Sequence, residues 1–429
     1  MILIKDVSIL PMTAPEDFIA KGYIIIDGAR IVEISEGQAP DGNRFRQVIN
    51  AGGMVAMPGL INTHTHAAMT LLRGYADDLP LMEWLQQKIW PMEEKLTAED
   101  CYWGTMLAAA EMIKSGTTCF ADMYFHMDQV AAAVEKSGLR ACLCQGMIDG
   151  PNGEAAFTRS QQLFSDWHGQ AQGRINVMLG PHAPHTCSPQ YLKRVINLSE
   201  QLGIGIHIHI AETQGEYEDI FKQYGKSPVS HLQEVGLFAR PVLAAHCVFL
   251  NDDDIGILAQ HSVGVAHNPE SNMKLASGIA RVPEMLEAGI TVGLGTDGAS
   301  SNNNLDMIQE LRSCSFLHKV NRKDPQLIPA YQALEMATVN GAHALRWEGI
   351  GTLKPGMLAD IILVDFEKPH LYPRYQTEGL LAYSALASDV DTVLVNGKVL
   401  MQGRQLTTID EKEVFRQVEQ IVNRLISSI

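Results

Sequence analysis

No apolar run in the chain approaches the roughly 20 consecutive residues of a bilayer-spanning helix. The start, Met1-Ile2-Leu3-Ile4-Lys5-Asp6, also lacks the basic lead and long apolar core of a secretory leader. No membrane partner and a cytoplasmic location are therefore expected. Cysteine is sparse, with seven among 429 residues. An odd, scattered set excludes the dense pairing of a disulfide-stapled secreted domain and fits a reducing compartment. Cys142 and Cys144 stand two apart in an apolar run, which puts both on one face of a strand as buried thiols rather than metal ligands. Positive charge is short as well: 33 Lys and Arg against 49 Asp and Glu leave a formal net charge of -16. That field repels phosphate backbones, so nucleic acid is not an expected partner. A small neutral or zwitterionic ligand fits better.

What is present is 46% hydrophobic and 19% charged, enough for one large domain and a smaller one. Residues 23–35 alternate like two short strands about the hairpin signal Asp27-Gly28. The pattern returns late in the chain, where residues 392–400 form a hairpin on Asn396-Gly397 and residues 360–365 form a strand before it. Residues 411–426 carry helical periodicity and are expected to pack on the outside. Between these ends, β-branched runs alternate with helical segments eight times, at residues 55–62, 117–123, 140–147, 175–181, 205–210, 241–246, 262–267 and 291–297. The expected fold is α/β: a (β/α)8 TIM-type barrel with a small β-sandwich domain built from both termini. Residues 1–57 and 356–429 would form the small domain, and residues 58–355 the barrel.

Catalytic groups of such barrels sit at the C-terminal ends of the strands. His64 and His66 follow the first run, His182 the fourth, His209 the fifth, His246 the sixth and Asp297 the eighth. Any one of these histidines alone reads as a hydrogen-bonded core or rim residue; five in register read as a site. His64-Thr65-His66 puts two imidazoles on one side of an extended segment, because strand side chains repeat with period two. His209-Ile210-Ala211-Glu212 adds a third imidazole with a carboxylate just beyond, and Asp297 in Gly295-Thr296-Asp297-Gly298 supplies an oxygen. Three nitrogens, one carboxylate and an open position suit one catalytic divalent metal per subunit, Zn2+ first and Fe2+ compatible. His207-Ile208-His209 is a second His-x-His pair, and position alone does not say which ring faces the metal. The spacing to Glu212 favours His209, leaving His207 to pack or to support a ligand.

Pro58-Gly59-Leu60-Ile61-Asn62-Thr63-His64-Thr65-His66, His209-Ile210-Ala211-Glu212-Thr213, Ala245-His246 and Gly295-Thr296-Asp297-Gly298 resemble the amidohydrolase superfamily over nearly the whole chain. The split terminal domain resembles it too, including residues 351–360 where the chain returns to β structure. Two-metal members of that superfamily use a bridging group, often a carboxylated lysine at strand four. No lysine stands between Lys136 and Lys193, which points to the mononuclear branch. Longer strings, Trp90-Pro91-Met92-Glu93, Gly180-Pro181-His182-Ala183-Pro184-His185-Thr186-Cys187-Ser188 and residues 295–303, resemble the methylthioadenosine/S-adenosylhomocysteine deaminases.

That resemblance implies that Glu93 grips a ribose diol and that His182 contacts the nucleoside. Read without it, Glu93 is a solvated carboxylate ending an amphipathic helix over residues 81–95. It further implies that Asp297 accepts the proton of the attacking water, His246 orients it, and Glu212 protonates the purine ring nitrogen. Members that accept a homocysteine carboxylate use arginines before strand four. Here Arg159 aligns ambiguously and reads equally as a helix-surface charge, which tilts the expectation toward methylthioadenosine. Neighbouring readings are a guanine- or cytosine-type base deaminase, an s-triazine hydrolase, and, in another class, a non-catalytic scaffold. A homo-oligomer is expected.

Overall fold

Alternation and turn chemistry at the two chain ends produce one mixed sheet. The computed structural model describes residues 1–79 and 81–427. In it the nine-stranded sheet runs in the order Gln405–Leu406, Lys398–Gln402, Val390–Val395, Ile361–Asp365, Met54–Pro58, Ile2–Ile9, Ile19–Asp27, Arg30–Glu36, with Gln47–Asn50 also paired to Ile2–Ile9. The hairpin turns fall at Gly28 and at Asn396-Gly397, all with positive φ, where glycine and asparagine carry little steric penalty.

Two further sheets are wholly parallel. One joins Leu60–Thr65, Thr117–Tyr124, Arg140–Met147 and Gly180–Pro181, with Ile175–Val177 beside Arg140–Met147. The other runs Ile206–Ile210, Val242–His246, Gly264–His267, Val292–Leu294. These strands are buried on both faces, as parallel strands covered by helices require. Hydrogen bonds bring the two sheets edge to edge at both margins. Leu179 bridges Ile206 and His207 N donates to Leu179 O at 2.8 Å. On the other side Thr63 Oγ1 donates to Leu294 O at 2.8 Å, and Asn62 and Thr296 exchange two bonds of 2.8 and 3.0 Å. The architecture is mixed α/β.

Residues 55–62, which read as one strand, are two: Met54–Pro58 belongs to the terminal sheet and Leu60–Thr65 to the parallel one. Both halves are apolar, so periodicity could not separate them. Gly59 makes the transfer, with its N–H on Asp360 O, while Leu60 N goes to Gly116 O. The helix Glu411–Ile426 starts on an Asp410 cap and lies against Ala98–Lys114, tied by Lys114 to Glu411 at 2.6 Å and by Arg424 to Asp100. All seven cysteines are buried and unpaired. No helix of the described residues is long and apolar enough to cross a membrane.

One ion pair locks the parallel strands to the terminal sheet. Arg140, wholly buried, donates through Nε to Asp360 Oδ2 at 2.7 Å and through Nη2 to Oδ1 at 3.1 Å, and Asn396 N adds a third bond at 2.7 Å. Removing one partner of a buried pair strands the other charge. Arg140→Met is expected to lower unfolding stability by about 3–5 kcal/mol. A urea melt with a loss under about 1 kcal/mol would show that the pair is solvated or dispensable.

Candidate functional site

The strand ends carry their polar residues to one place. His64 lies on the buried strand Leu60–Thr65 and His66 follows it, while His209 lies on Ile206–Ile210 and Asp297 lies beyond Val292–Leu294. One ring nitrogen each of His64, His66 and His209 lie within 4.8 Å of one another, and so do ligand atoms of His64, His246 and Asp297. Asp297 Oδ1 stands 3.4 Å from His64 Nε2 and 3.3 Å from His66 Nε2. The outer nitrogens are committed elsewhere. His66 Nδ1 contacts Met123 O at 2.5 Å, His209 Nδ1 contacts His182 O at 2.6 Å, and His64 Nδ1 contacts His207 Nε2 at 2.9 Å. A ring that donates from Nδ1 turns its Nε2 lone pair inward, the usual way a protein orients metal-binding imidazoles. His207 thus touches His64 rather than the centre of the cluster.

His64 Nε2 is buried and has no hydrogen-bond partner among the described residues, a state that costs about 1–3 kcal/mol when nothing compensates. A cation among the four donors removes that cost. Burial lowers the His64 pKa to about 4, so the ring is neutral and its lone pair is free. Burial works to raise the Asp297 pKa, but His64, His66 and His246 outweigh it and hold the carboxyl ionised. Ser271 and Ser301 donate to its other oxygen at 2.7 and 2.8 Å. The donor set fits a first-row divalent ion such as zinc or iron. Gly295 is required by the close approach, since a Cβ there would meet Asn268 Oδ1 at 2.4 Å and His64 N at 2.8 Å.

Around the cluster stand groups able to move or orient a proton. His246 Nδ1 contacts Asn272 Oδ1 at 3.0 Å, and its Nε2 stands 3.8 Å from Glu212 Oε2. Burial pushes the Glu212 pKa up, partly opposed by His246, which keeps a proton on the carboxyl to higher pH. Burial opposes protonation of His246, yet the Glu212 and Asp297 charges outweigh it and raise the pKa. Ala211, His246 and Asp297 all have positive φ, at 52, 73 and 63°, a conformation that non-glycine residues hold only where the surroundings over-determine it.

Two acids that sequence reasoning missed hold the backbone beside Glu212 and beside His66. Glu216 accepts from Ala211 N at 3.2 Å and from Glu212 N at 2.8 Å, fixing the backbone of Glu212. Its signal was visible as Thr213-Gln214-Gly215-Glu216, a capping-box string; Thr213 does cap Glu216 N, but the glutamate reaches back past it. Asp122 accepts from Ala67 N at 2.6 Å and Thr65 Oγ1 at 2.8 Å, bracing both sides of His66. Burial pushes its pKa to about 6 against those bonds.

A cavity of about 230 Å³ opens over the cluster, and His66, His182, His209, Glu212, His246 and Asp297 reach it. Glu93 reaches it as well. The helix expected over residues 81–95 is broken by a π turn at Leu85–Ile89 before Trp90–Glu93, an irregularity common at functional sites; Pro80 lies outside the described residues. Tyr124 Oη donates to Glu93 Oε1 at 2.7 Å, and burial raises the Glu93 pKa. His182 packs 4.8 Å from the His209 ring centre, and burial lowers its pKa to about 3. Arg159 is exposed on the helix Gly153–Trp167 and does not line the cavity.

Residues 55–400 match the profile of the amidohydrolase family. A protein of Syntrophomonas wolfei named 5-methylthioadenosine/S-adenosylhomocysteine deaminase is 60% identical over 428 residues, covering 99% of each chain. The crystal structure of an adenosine deaminase from Xanthomonas campestris with bound zinc superimposes with a TM-score of 0.95 at 34% identity, over 99% of this chain and 98% of that one. The zinc complex of atrazine chlorohydrolase from Arthrobacter aurescens gives 0.91 at 23% identity, over 98% of this chain and 100% of that one, a likeness of fold alone.

Proposed function

The chain belongs to the amidohydrolase family, and we propose that it is a metal-dependent hydrolase that removes the 6-amino group of an adenine nucleoside, releasing ammonia and the inosine-type product. The observation that carries this reading is a carboxyl group, Glu212, facing an imidazole-aspartate donor cluster across one cavity. The deaminase name of a relative 60% identical over 99% of both chains supports it. In this reading the parallel strands close into a (β/α)8 barrel over residues 58–355, supported by hydrogen bonds at both margins of the two sheets. Residues 1–57 and 356–429 form the small β-sandwich domain.

His64, His66, His209 and Asp297 would hold one divalent ion, zinc first and iron second, and a zinc-bound neighbour supports that order. Such an ion supplies Lewis acidity and lowers the pKa of water from about 16 to roughly 7. Glu212 delivers a proton to N1 of the purine as C6 becomes tetrahedral. Asp297, ionised, accepts the proton of the attacking water, and His246 Nε2 directs the attacking oxygen toward C6. His182 and Glu93 hold the nucleoside, Glu93 by accepting from the ribose hydroxyls. The partner is a small molecule.

Methylthioadenosine is favoured over S-adenosylhomocysteine. Glu93, Glu212, Glu216, Asp219 and Asp297 line the cavity, and no lysine or arginine does among the described residues. A terminal carboxylate would meet Glu216 and Asp219 there, and His185 beside them is already paired to Glu216 at 3.7 Å, whereas Trp84, Leu85, Ile89 and Trp90 offer an apolar wall to a methylthio group. Lys222 lines a separate outer groove with Asp219. The test is ammonia release from methylthioadenosine, S-adenosylhomocysteine, adenosine, guanine and cytosine, with chloride release from a chlorotriazine. The nucleosides should react, methylthioadenosine fastest; turnover of a free base or the triazine alone would remove the reading.

Glu93→Ala should raise KM for nucleosides roughly 10- to 100-fold, as expected for a hydrogen bond to a charged group worth about 1.5–3 kcal/mol. KM for free adenine, or its inhibition constant, should stay unchanged. An equal effect on both would return Glu93 to a general structural role.

A further inference from the structure

A second cluster of donor atoms lies outside the cavity. His267 is the last residue of the strand Gly264–His267, and Cys314 and His318 are one turn apart on the helix Met307–Arg322. All three side chains are fully buried, and one ligand atom of each lies within 4.8 Å of the others. None of the three lines the cavity described above. Positions i and i+4 share a helix face, so the thiol and one imidazole are presented together toward the strand end.

The polar atoms of this trio have no other visible purpose. His267 Nε2 and His318 Nε2 meet at 3.3 Å, and the Nδ1 atoms of both rings have no partner among the described residues. Two nitrogens bound at about 2.05 Å to one tetrahedral ion stand roughly 3.3 Å apart, so the rings already have the separation that a shared ion imposes. Burial lowers the His318 pKa to about 4 and that of His267 well below the ordinary range, leaving both rings neutral with lone pairs to offer. Glu310 lies one turn before Cys314 on the same helix, fully buried, and accepts from Asn302 and from Glu270 N. Burial and the nearby Glu310 push the Cys314 thiol up, and burial and Glu270 push the Glu310 carboxyl up, so both groups keep their protons until an entering cation takes the thiolate.

We infer that His267, Cys314 and His318 form a second, structural site for a thiophilic divalent cation, Zn2+ in the first instance. Entry of the ion replaces the thiol proton, which leaves to solvent, and forms one sulfur and two nitrogen bonds. The site clamps the helix Met307–Arg322 to the strand whose last carbonyl, His267 O, accepts from Gly295 N at 2.9 Å. It therefore braces the loop that carries Asp297 from behind, without touching substrate.

Sulfur separates this site from the other cluster, whose donors are all nitrogen and oxygen. The full-length protein, stripped of metal and titrated with Co2+, should take up about two ions per chain and develop a thiolate-to-cobalt charge-transfer absorption in the near ultraviolet. Cys314→Ser should lose that absorption and one ion, and its Tm in Zn2+ should fall below that of the parent. His318→Gln should also bind one ion fewer, which provides the stoichiometry test if the cysteine variant does not fold. Uptake of one ion per chain, or of two without the sulfur absorption in the parent protein, would overturn the proposal. Either result leaves the deaminase reading to be judged by its own substrate assay.

Discussion

Replacing Glu212 with glutamine is expected to lower kcat by about 10²- to 10⁴-fold, the range over which a positioned general acid or base contributes, while leaving the metal in place. The amide matches the carboxyl in shape but carries no transferable acidic proton. Glu212 is not among the donors that converge on the cation position; its Oε2 faces His246 Nε2 at 3.8 Å, and Glu216 holds its backbone from behind. The loss should therefore appear in turnover and not in metal content, measured on the same preparation by steady-state kinetics and elemental analysis. A variant running within about twofold of the parent would strip Glu212 of its role as proton carrier.

The second large effect concerns the imidazoles. His66→Ala removes a donor whose ring is held by Met123 O and leaves the remaining groups of the cluster with an unfilled corner. The variant should lose the cavity ion on dialysis, and activity with it, and recover partly in excess Zn2+. His207→Ala is the informative contrast. His207 touches His64 Nδ1 at 2.9 Å and not the centre, so its loss should weaken metal binding by roughly 10- to 100-fold, the usual cost of an outer partner. The His66 variant should exceed that cost. If the His207 variant proved the more severe, the two rings of His207-Ile208-His209 would have to exchange roles.

That pair marks a boundary of what sequence can say. Period two fixed the face of the strand on which both rings lie, and no pattern in the residues could give their depth. The structure puts His207 deeper, against Cys144 and His64, and His209 at the rim beside His182. Strand ends were legible because apolar runs stop where chemistry-bearing residues begin, as at Val242–His246, which ends on His246, and Val292–Leu294, which precedes Asp297. The first run was not, because the Pro58-Gly59 transfer between sheets joins two apolar segments without a polar break. Glu93 shows the opposite failure. Helical periodicity made it a solvated helix end, whereas the π turn at Leu85–Ile89 and the Tyr124 hydroxyl give it a place on the cavity wall. Asp122 and Glu216 escaped notice for a third reason: each works by accepting from backbone amides of a turn whose shape exists only after the strands have assembled.

The account rests on one divalent ion among His64, His66, His209 and Asp297. Anomalous scattering from crystals of the protein grown with Zn2+ locates that ion directly. The expected result is a strong peak about 2.0–2.2 Å from one nitrogen of each imidazole and from an Asp297 oxygen, with Glu212 and His246 across from it. A map with no peak there, or with these side chains turned away from a peak elsewhere in the cavity, would contradict it.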